Sequence, residues 1–162
     1  MIKIEYIKVS KSKVYNDVAM TTAYIGAKMP SAEGDDAYLR ISTSDDDRLM
    51  LERFWGDACN LANGLFRPFL LTSTPQPIGD GVDLDCDYEV QLRMPEGYDA
   101  TLTPTIESTL HTVFVDVITA KWFRIANKEE AQAYDAEAAS LMDSIRRNLY
   151  HRMKPVREMF DL

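Results

Sequence analysis

Cysteine and histidine are scarce in this chain: Cys59, Cys86, His111 and His151 are all it has among 162 residues. Neither cysteine belongs to a Cys-x-x-Cys pair, so a zinc cluster or a disulfide framework lacks its raw material. Both thiols read as small buried hydrophobes, Cys86 at an inward strand position. No His-Glu-x-x-His, glycine-rich phosphate loop or nucleophile elbow occurs. His111 falls beside the apolar stripe of a helix and reads as half-buried and partnered, and His151 as exposed in a basic helix end. Long apolar runs are missing too, none approaching the ~20 residues of a bilayer span. Lysines interrupt the opening "MIKIEYIKVSKSK", unlike the core of a signal peptide. Positive charge is in deficit, with 18 basic against 26 acidic residues and a net charge of −8, which argues against general nucleic-acid binding. These absences lead us to expect a protein of the cytoplasm without membrane, metal, cofactor or catalytic constellation.

What is present suits one folded domain over residues 1–162. Apolar content of 46% with 27% charged residues is ordinary for a soluble globular chain. A chain of this length buries roughly two-thirds of its unfolded surface. There is no internal repeat, low-complexity tract or linker. Ile2, Ile4 and Tyr6 alternate as a strand with a slip near Ile7. Val14, Val18, Thr22 and Ile25 then mark a helix ending near Gly26 to Pro30. "MPSAEGDDA" reads as a loop and "AYLRIST" as a short strand.

Ser44 and Asp47 form a capping-box pattern ahead of a wide apolar stripe, Met50, Phe54, Ala58, Leu61 and Leu65 flanked by Leu51, Trp55, Ala62 and Phe66, which Pro68 ends. Val82, Leu84, Cys86, Tyr88, Val90 and Leu92 alternate with polar residues, the clearest strand signal in the chain, over residues 82–93. Pro104 opens a helix whose stripe holds Ile106, Leu110, Val113, Val117 and Ala120, widened by Phe114, Ile118, Trp122 and Ile125. Asn127 ends it and caps a last helix bearing Ala131, Tyr134, Ala138, Leu141, Ile145 and Leu149. Ala131, Ala138 and Ala139 there allow close approach of a neighbour. The fold class expected is mainly α with a small β component. It has about four helices, the two long C-terminal ones packed antiparallel, and two or three strands.

Charge is the remaining source of candidate sites. Asp83, Asp85, Asp87 and Glu89 fall at every second position, so in a strand they share one face with roughly 7 Å between neighbours. One cation needs oxygens converging at about 2.3–2.6 Å, which a straight ladder does not supply. Read as a calcium loop from Asp83, the segment puts Tyr88 where glycine belongs and Met94 where the bidentate glutamate belongs. A solvated or partner-facing strand is therefore expected, and Lys3, Lys8, Lys11 and Lys13 of the N-terminal segment could offset it. From Glu33 to Asp57 eight acidic residues meet three basic ones. From Ser144 to Arg157 stand Arg146, Arg147, Arg152, Lys154 and Arg157 with no acid. Asp45, Asp46 and Asp47 suit the start of a helix dipole and the basic group suits a helix end. The two groups also suit each other, across copies, in a head-to-tail contact that closes into a ring.

The segment "SDDDRLMLERFWGDACNLANGLFRPFL" resembles the first core helix of the tailed-phage head–tail connector (adaptor) proteins. "PTIESTLHTVFVDVITAKWFRIANKEEA" resembles their second motif, in which a proline opens a helix closing on an aromatic pair and an Asn-to-Ala stretch. Here these are Pro104, Trp122, Phe123, Asn127 and Glu129 to Ala131. "IRRNLYHRMKPVR" is similar in character to their arginine-bearing ends. The resemblance spans residues 44–157, with residues 82–93 as a strand insertion, while the strand and helix of residues 1–30 depart from the compact pattern. It implies a non-enzymatic virion subunit assembled in the bacterial cytoplasm. Copies would form a ring between portal and tail-side proteins, through which DNA passes without specific binding, and Asp83, Asp85, Asp87 and Glu89 would face the channel. Two other expectations stay open: a soluble regulatory domain with a ligand groove along Trp55, Trp122 and Phe123, and a hydrolase using Asp83, Asp85 or His111.

Overall fold

The computed structural model describes residues 2–29, 36–74, 77–78, 81–82 and 86–157, with the backbone course alone for 77–78 and 81–82. Strand β1 (Lys3–Val9) leads through Ser10 into helix α1 (Lys11–Lys28). Lys11, Val14, Val18, Thr22 and Gly26 form the buried side of α1, a four-residue spacing that keeps them on one face. Gly26 is needed for contact, since a β-carbon there would stand 3.0 Å from the Tyr38 Cα. The backbone that comes so close belongs to α2 (Ala37–Ile41).

Helix α2 replaces the strand expected from "AYLRIST". The Asp36 carboxylate accepts from the Tyr38 and Leu39 amides and so caps a helix. Ala37 and Ile41 then fall on one face and are both fully buried. Five residues are too few to show a 3.6-residue period, which is why the stretch reads as extended.

A 3-10 turn over Asp45–Asp47 carries the expected capping box, Ser44 N donating to Asp47 Oδ2 at 2.8 Å. Helix α3 (Arg48–Phe66) follows. Its buried side is Leu51, Phe54, Trp55, Ala58, Cys59, Ala62, Leu65 and Phe66, while Met50 and Leu61 of the expected stripe are exposed.

Strand β2 (Leu70–Thr74) and the short pair β3 (Pro77–Ile78) and β4 (Gly81–Val82) precede β5 (Tyr88–Met94). The strand expected over residues 82–93 is thus divided: Val82 belongs to β4, which pairs with β3 in a separate two-stranded sheet. Cys86, expected at an inward strand position, sits half-buried at the bend before β5. From Tyr88 the expected phase holds, with Tyr88, Val90 and Leu92 inward and Met94 joining them.

The main sheet is antiparallel with order β1-β5-β2. Register runs unbroken from Lys3 opposite Met94 to Val9 opposite Tyr88, without the slip expected near Ile7. The inward residues of β1 are Ile7 and Val9, so Ile2, Ile4 and Tyr6 lie on the outer face at 54%, 50% and 65% exposure.

Helix α4 (Thr103–Ala126) touches α1, α2, α3, β1 and the last helix, α5 (Lys128–Tyr150). It is buried almost all round from Val113 to Ala120, as a helix apolar on every face must be. Trp55, Phe114 and Tyr88 pack in series as tilted ring pairs with centroid separations of 5.0 and 5.3 Å, tying α3, α4 and β5 together. Each such buried ring stabilises the fold by roughly 1.5–3 kcal/mol.

Helices α4 and α5 form an antiparallel pair joined by Asn127 alone. Asn127 N donates to Phe123 O, and its side chain accepts from Glu129 N. Ala131, Ala138, Ile145 and Leu149 are the buried stripe of α5, while Ala139 and Ile125 face solvent. The expected class, mainly helical with two long C-terminal helices packed antiparallel and a small sheet, is the observed one. No helix among the described residues is long and apolar enough to cross a membrane.

Candidate assembly surfaces

The basic group begins in the last turns of α5, where cations meet the negative end of the helix. Arg146 pairs with Asp143 at 2.7 Å, one turn back on the same exposed face. Arg152 Nη1 donates to the Leu149 and His151 carbonyls, 2.8 Å each, and so closes the helix end. Past it the chain runs extended beside the turn before α4: Met153 N donates to Gly97 O, and Arg152 bridges to Tyr98. Arg147, Lys154 and Arg157 are exposed and have no ion-pair partner among the described residues.

The acidic group is divided in the same way. Asp47 is engaged in the capping box, whereas Asp45 and Asp46 are exposed and unpaired among the described residues. Each group thus has members spent on its own helix end and members left over. Exposed pairs within a chain contribute little, about 0–1 kcal/mol each.

The carboxylate ladder is placed in part. Asp83 and Asp85 lie outside the described residues. Lys8 Nζ is 3.5 Å from Asp87 Oδ2 and 3.3 Å from Glu89 Oε1, and Lys11 N donates to Asp87 Oδ1 at 2.9 Å. Lys8 stands directly opposite Glu89 in the β1–β5 register. The two carboxylates raise the affinity of the exposed Lys8 ammonium for its proton, Glu89 more than Asp87. Among the described residues no three of His, Cys, Asp and Glu are arranged to hold a metal ion.

Trp55, Trp122 and Phe123 do not line a groove. They are 0%, 9% and 0% exposed and belong to the continuous core. Trp122 Nε1 donates to Ile41 O at 2.6 Å, holding the end of α2 on α4. His111 Nε2 lies 2.6 Å from Asp17 Oδ2, a bridge between α4 and α1 at the surface.

Two polar features were not singled out in the sequence. Lys11 and Glu52 form a largely buried ion pair between α1 and α3, 2.6 Å apart. It borders an open cleft of about 470 Å³ lined by Lys11, Tyr15, Asn16, Ser44, Arg48 and Asp87, among others. Asp116 is 4% exposed in α4, and among the described residues neither its Oδ2 nor the Thr119 Oγ1 one turn on has a hydrogen-bond partner. A lone acid inside "VFVDVIT" was a readable signal for the second, whereas the first joins residues far apart in the chain and has none.

No family model, curated protein or solved structure matches this chain.

Proposed function

We propose that the chain is a non-enzymatic structural subunit of a phage or prophage virion. It would act as a head–tail connector that closes into a ring below the portal for the passage of DNA. One observation carries the reading: exposed charges of opposite sign, Arg147 in the last turn of α5 with Lys154 and Arg157 just beyond it, and Asp45 and Asp46 ahead of α3, have no ion-pair partner among the described residues. Unlike patches on one subunit satisfy each other only between copies, and the resulting head-to-tail contact closes when its rotation divides a full turn. The likeness of residues 44–157 to the connector proteins supplies the class, and the net charge of −8 suits a channel on which DNA does not stick.

In this reading α4 and its surrounding helices provide a rigid wedge and the two charged ends set the angle between neighbours. Asp87 and Glu89, held by Lys8, serve the fold rather than the channel wall. Reversal of Arg146 and Arg147 to glutamate leaves the melting temperature near that of the native chain and abolishes ring formation, read by light scattering and electron microscopy with the portal protein present. Rings formed normally by that variant remove the patch contact from the reading.

A further inference from the structure

The sheet has an open edge, and the residues on it match themselves. Among the described residues strand β1 is the outermost strand in the order β1-β5-β2, bonded to β5 on one side only. In an antiparallel ladder successive residues turn their N–H and C=O groups alternately toward and away from the partner strand. Lys8 N donates to Glu107 Oε2 at 3.0 Å instead of to β5, so the even-numbered residues are those directed away. Ile4 and Tyr6 therefore present backbone donors and acceptors at the edge, and among the described residues nothing engages them. Their side chains, with Ile2, are also the exposed apolar row of the outer face. Such an edge normally invites pairing, and charged side chains on it are the usual guard.

The charges on β1 guard it selectively. Lys3 and Glu5 are half-buried on the inner side of the strand. Lys3 Nζ donates to Tyr98 O at 3.1 Å, and Glu5 Oε2 accepts from Thr103 Oγ1 at 2.9 Å. Among the described residues neither side chain is used up: the ammonium keeps two protons, and the Glu5 Oε1 remains. Placed antiparallel against a second β1 with the two-fold axis at Ile4, Lys3 faces Glu5 of the second copy and Glu5 faces its Lys3. Ile4 faces Ile4, and Ile2 faces Tyr6. Even residues then meet even residues, as the outward backbone groups require.

The alternatives with the same parity fail. An axis at Lys3 sets two ammonium groups against each other, an axis at Glu5 two carboxylates, and an axis at Ile7 sets Tyr6 against Lys8. An axis at Tyr6 sets Ile4 against Lys8, whose N–H is already taken by Glu107. In the register at Ile4 the ladder stops at Tyr6, short of Lys8, so the Glu107 contact is undisturbed.

We propose that β1 docks on β1 of a second copy of this chain in that register, joining two three-stranded sheets into one of six strands with a continuous apolar row on its outer face. The contact uses no residue of the Arg146–Arg157 or Asp45–Asp47 groups, so it stands or falls apart from the ring. A charge-matched edge admits its own copy and repels strands of other pattern.

Sedimentation equilibrium of the full chain tests it. The native protein forms a dimer across the micromolar range. Lys3→Glu alone and Glu5→Lys alone each weaken dimerisation by roughly tenfold or more, since like charges then meet across the axis. The double exchange Lys3→Glu with Glu5→Lys restores it, and Arg146→Glu with Arg147→Glu leaves it unchanged.

Because Lys3 and Glu5 also hold Tyr98 and Thr103, a second measurement avoids them. In a Cys86→Ser background, Ile4→Cys forms a covalent dimer under mild oxidation, the opposed α-carbons being about 5.5 Å apart. Ile2→Cys, which faces Tyr6, does not. A native chain monomeric at all concentrations, a double exchange no better than the singles, or equal crosslinking from positions 2 and 4 overturns the proposal.

Discussion

Lys11 Nζ lies 2.6 Å from Glu52 Oε2, with the two side chains only 11% and 13% exposed. The ammonium also stands over the Tyr15 ring, 5.7 Å from its centroid, and the Lys11 amide is taken by Asp87. Arg48 completes the group at 3.7 Å from Glu52 Oε1. One lysine thus joins the first turn of α1 to α3 and to the lead-in of β5.

Removing one partner strands the other in a site with little water. Glu52→Leu should cost about 3–5 kcal/mol, as for other broken buried pairs, whereas Lys11→Met combined with Glu52→Leu should recover most of the loss. Urea unfolding of the two variants and the native chain decides the matter. A double variant as weak as Glu52→Leu alone would show that the pair, and not the unpaired charge, carries the stability.

Asp116 ties stability to pH. Burial first, and then the Glu137 carboxylate across the helix pair, push its carboxyl from the ordinary 3.8 to about 7. The folded chain therefore holds a proton that the unfolded chain releases at lower pH. Its stabilising effect is complete below the unfolded value and is lost as pH rises through about 7. Asp116→Asn, neutral throughout, should melt with the native protein in acid and above it at mildly alkaline pH. Parallel melting curves over that range would contradict this assignment.

Trp122 holds a helix end. Ile41 O is one of the orphan carbonyls at the end of α2, and the indole N–H is its buried donor. Trp122→Phe keeps the ring and removes the donor, at an expected cost of about 1–3 kcal/mol for the unsatisfied carbonyl. Amide exchange should quicken over Ala37–Ile41 more than over α4; uniform quickening would mean that the bond does not act locally.

Most of the helical frame was legible because its signals repeat. Three and more turns of apolar spacing mark α1, α3, α4 and α5, and Ser44, Pro104 and Asn127 mark where helices begin. The strand face of β5 was legible from Tyr88 onward for the same reason. The misread parts are those in which a neighbour decides. Ile4 and Tyr6 are as apolar as Ile7 and Val9, and which pair turns inward follows from what lies beneath the sheet, not from alternation. Helix α2 is shorter than the period that would reveal it. At the candidate surfaces, the Arg146–Asp143 pair is a same-helix spacing that can be read directly, and Lys8 opposite Glu89 follows once β1 is set beside β5. The Lys11–Glu52 pair exists only after α1 and α3 have met.

Asn127 has a mechanical consequence. A single residue separates α4 from α5, its N–H closes one helix, its side chain opens the next, and its Nδ2 lies 3.7 Å from the Met29 sulfur at the end of α1. No slack exists at this joint. The hairpin spans about 34 Å, the rise of 23 helical residues, and is pinned at both ends, by Asn127 at one and by the Met153–Gly97 bond and the Arg152–Tyr98 bridge at the other. A load applied to the basic end would therefore be shared between the turn before α4 and the packed seam of Ala131, Ala138 and Ile145, and would not be taken up by a loop.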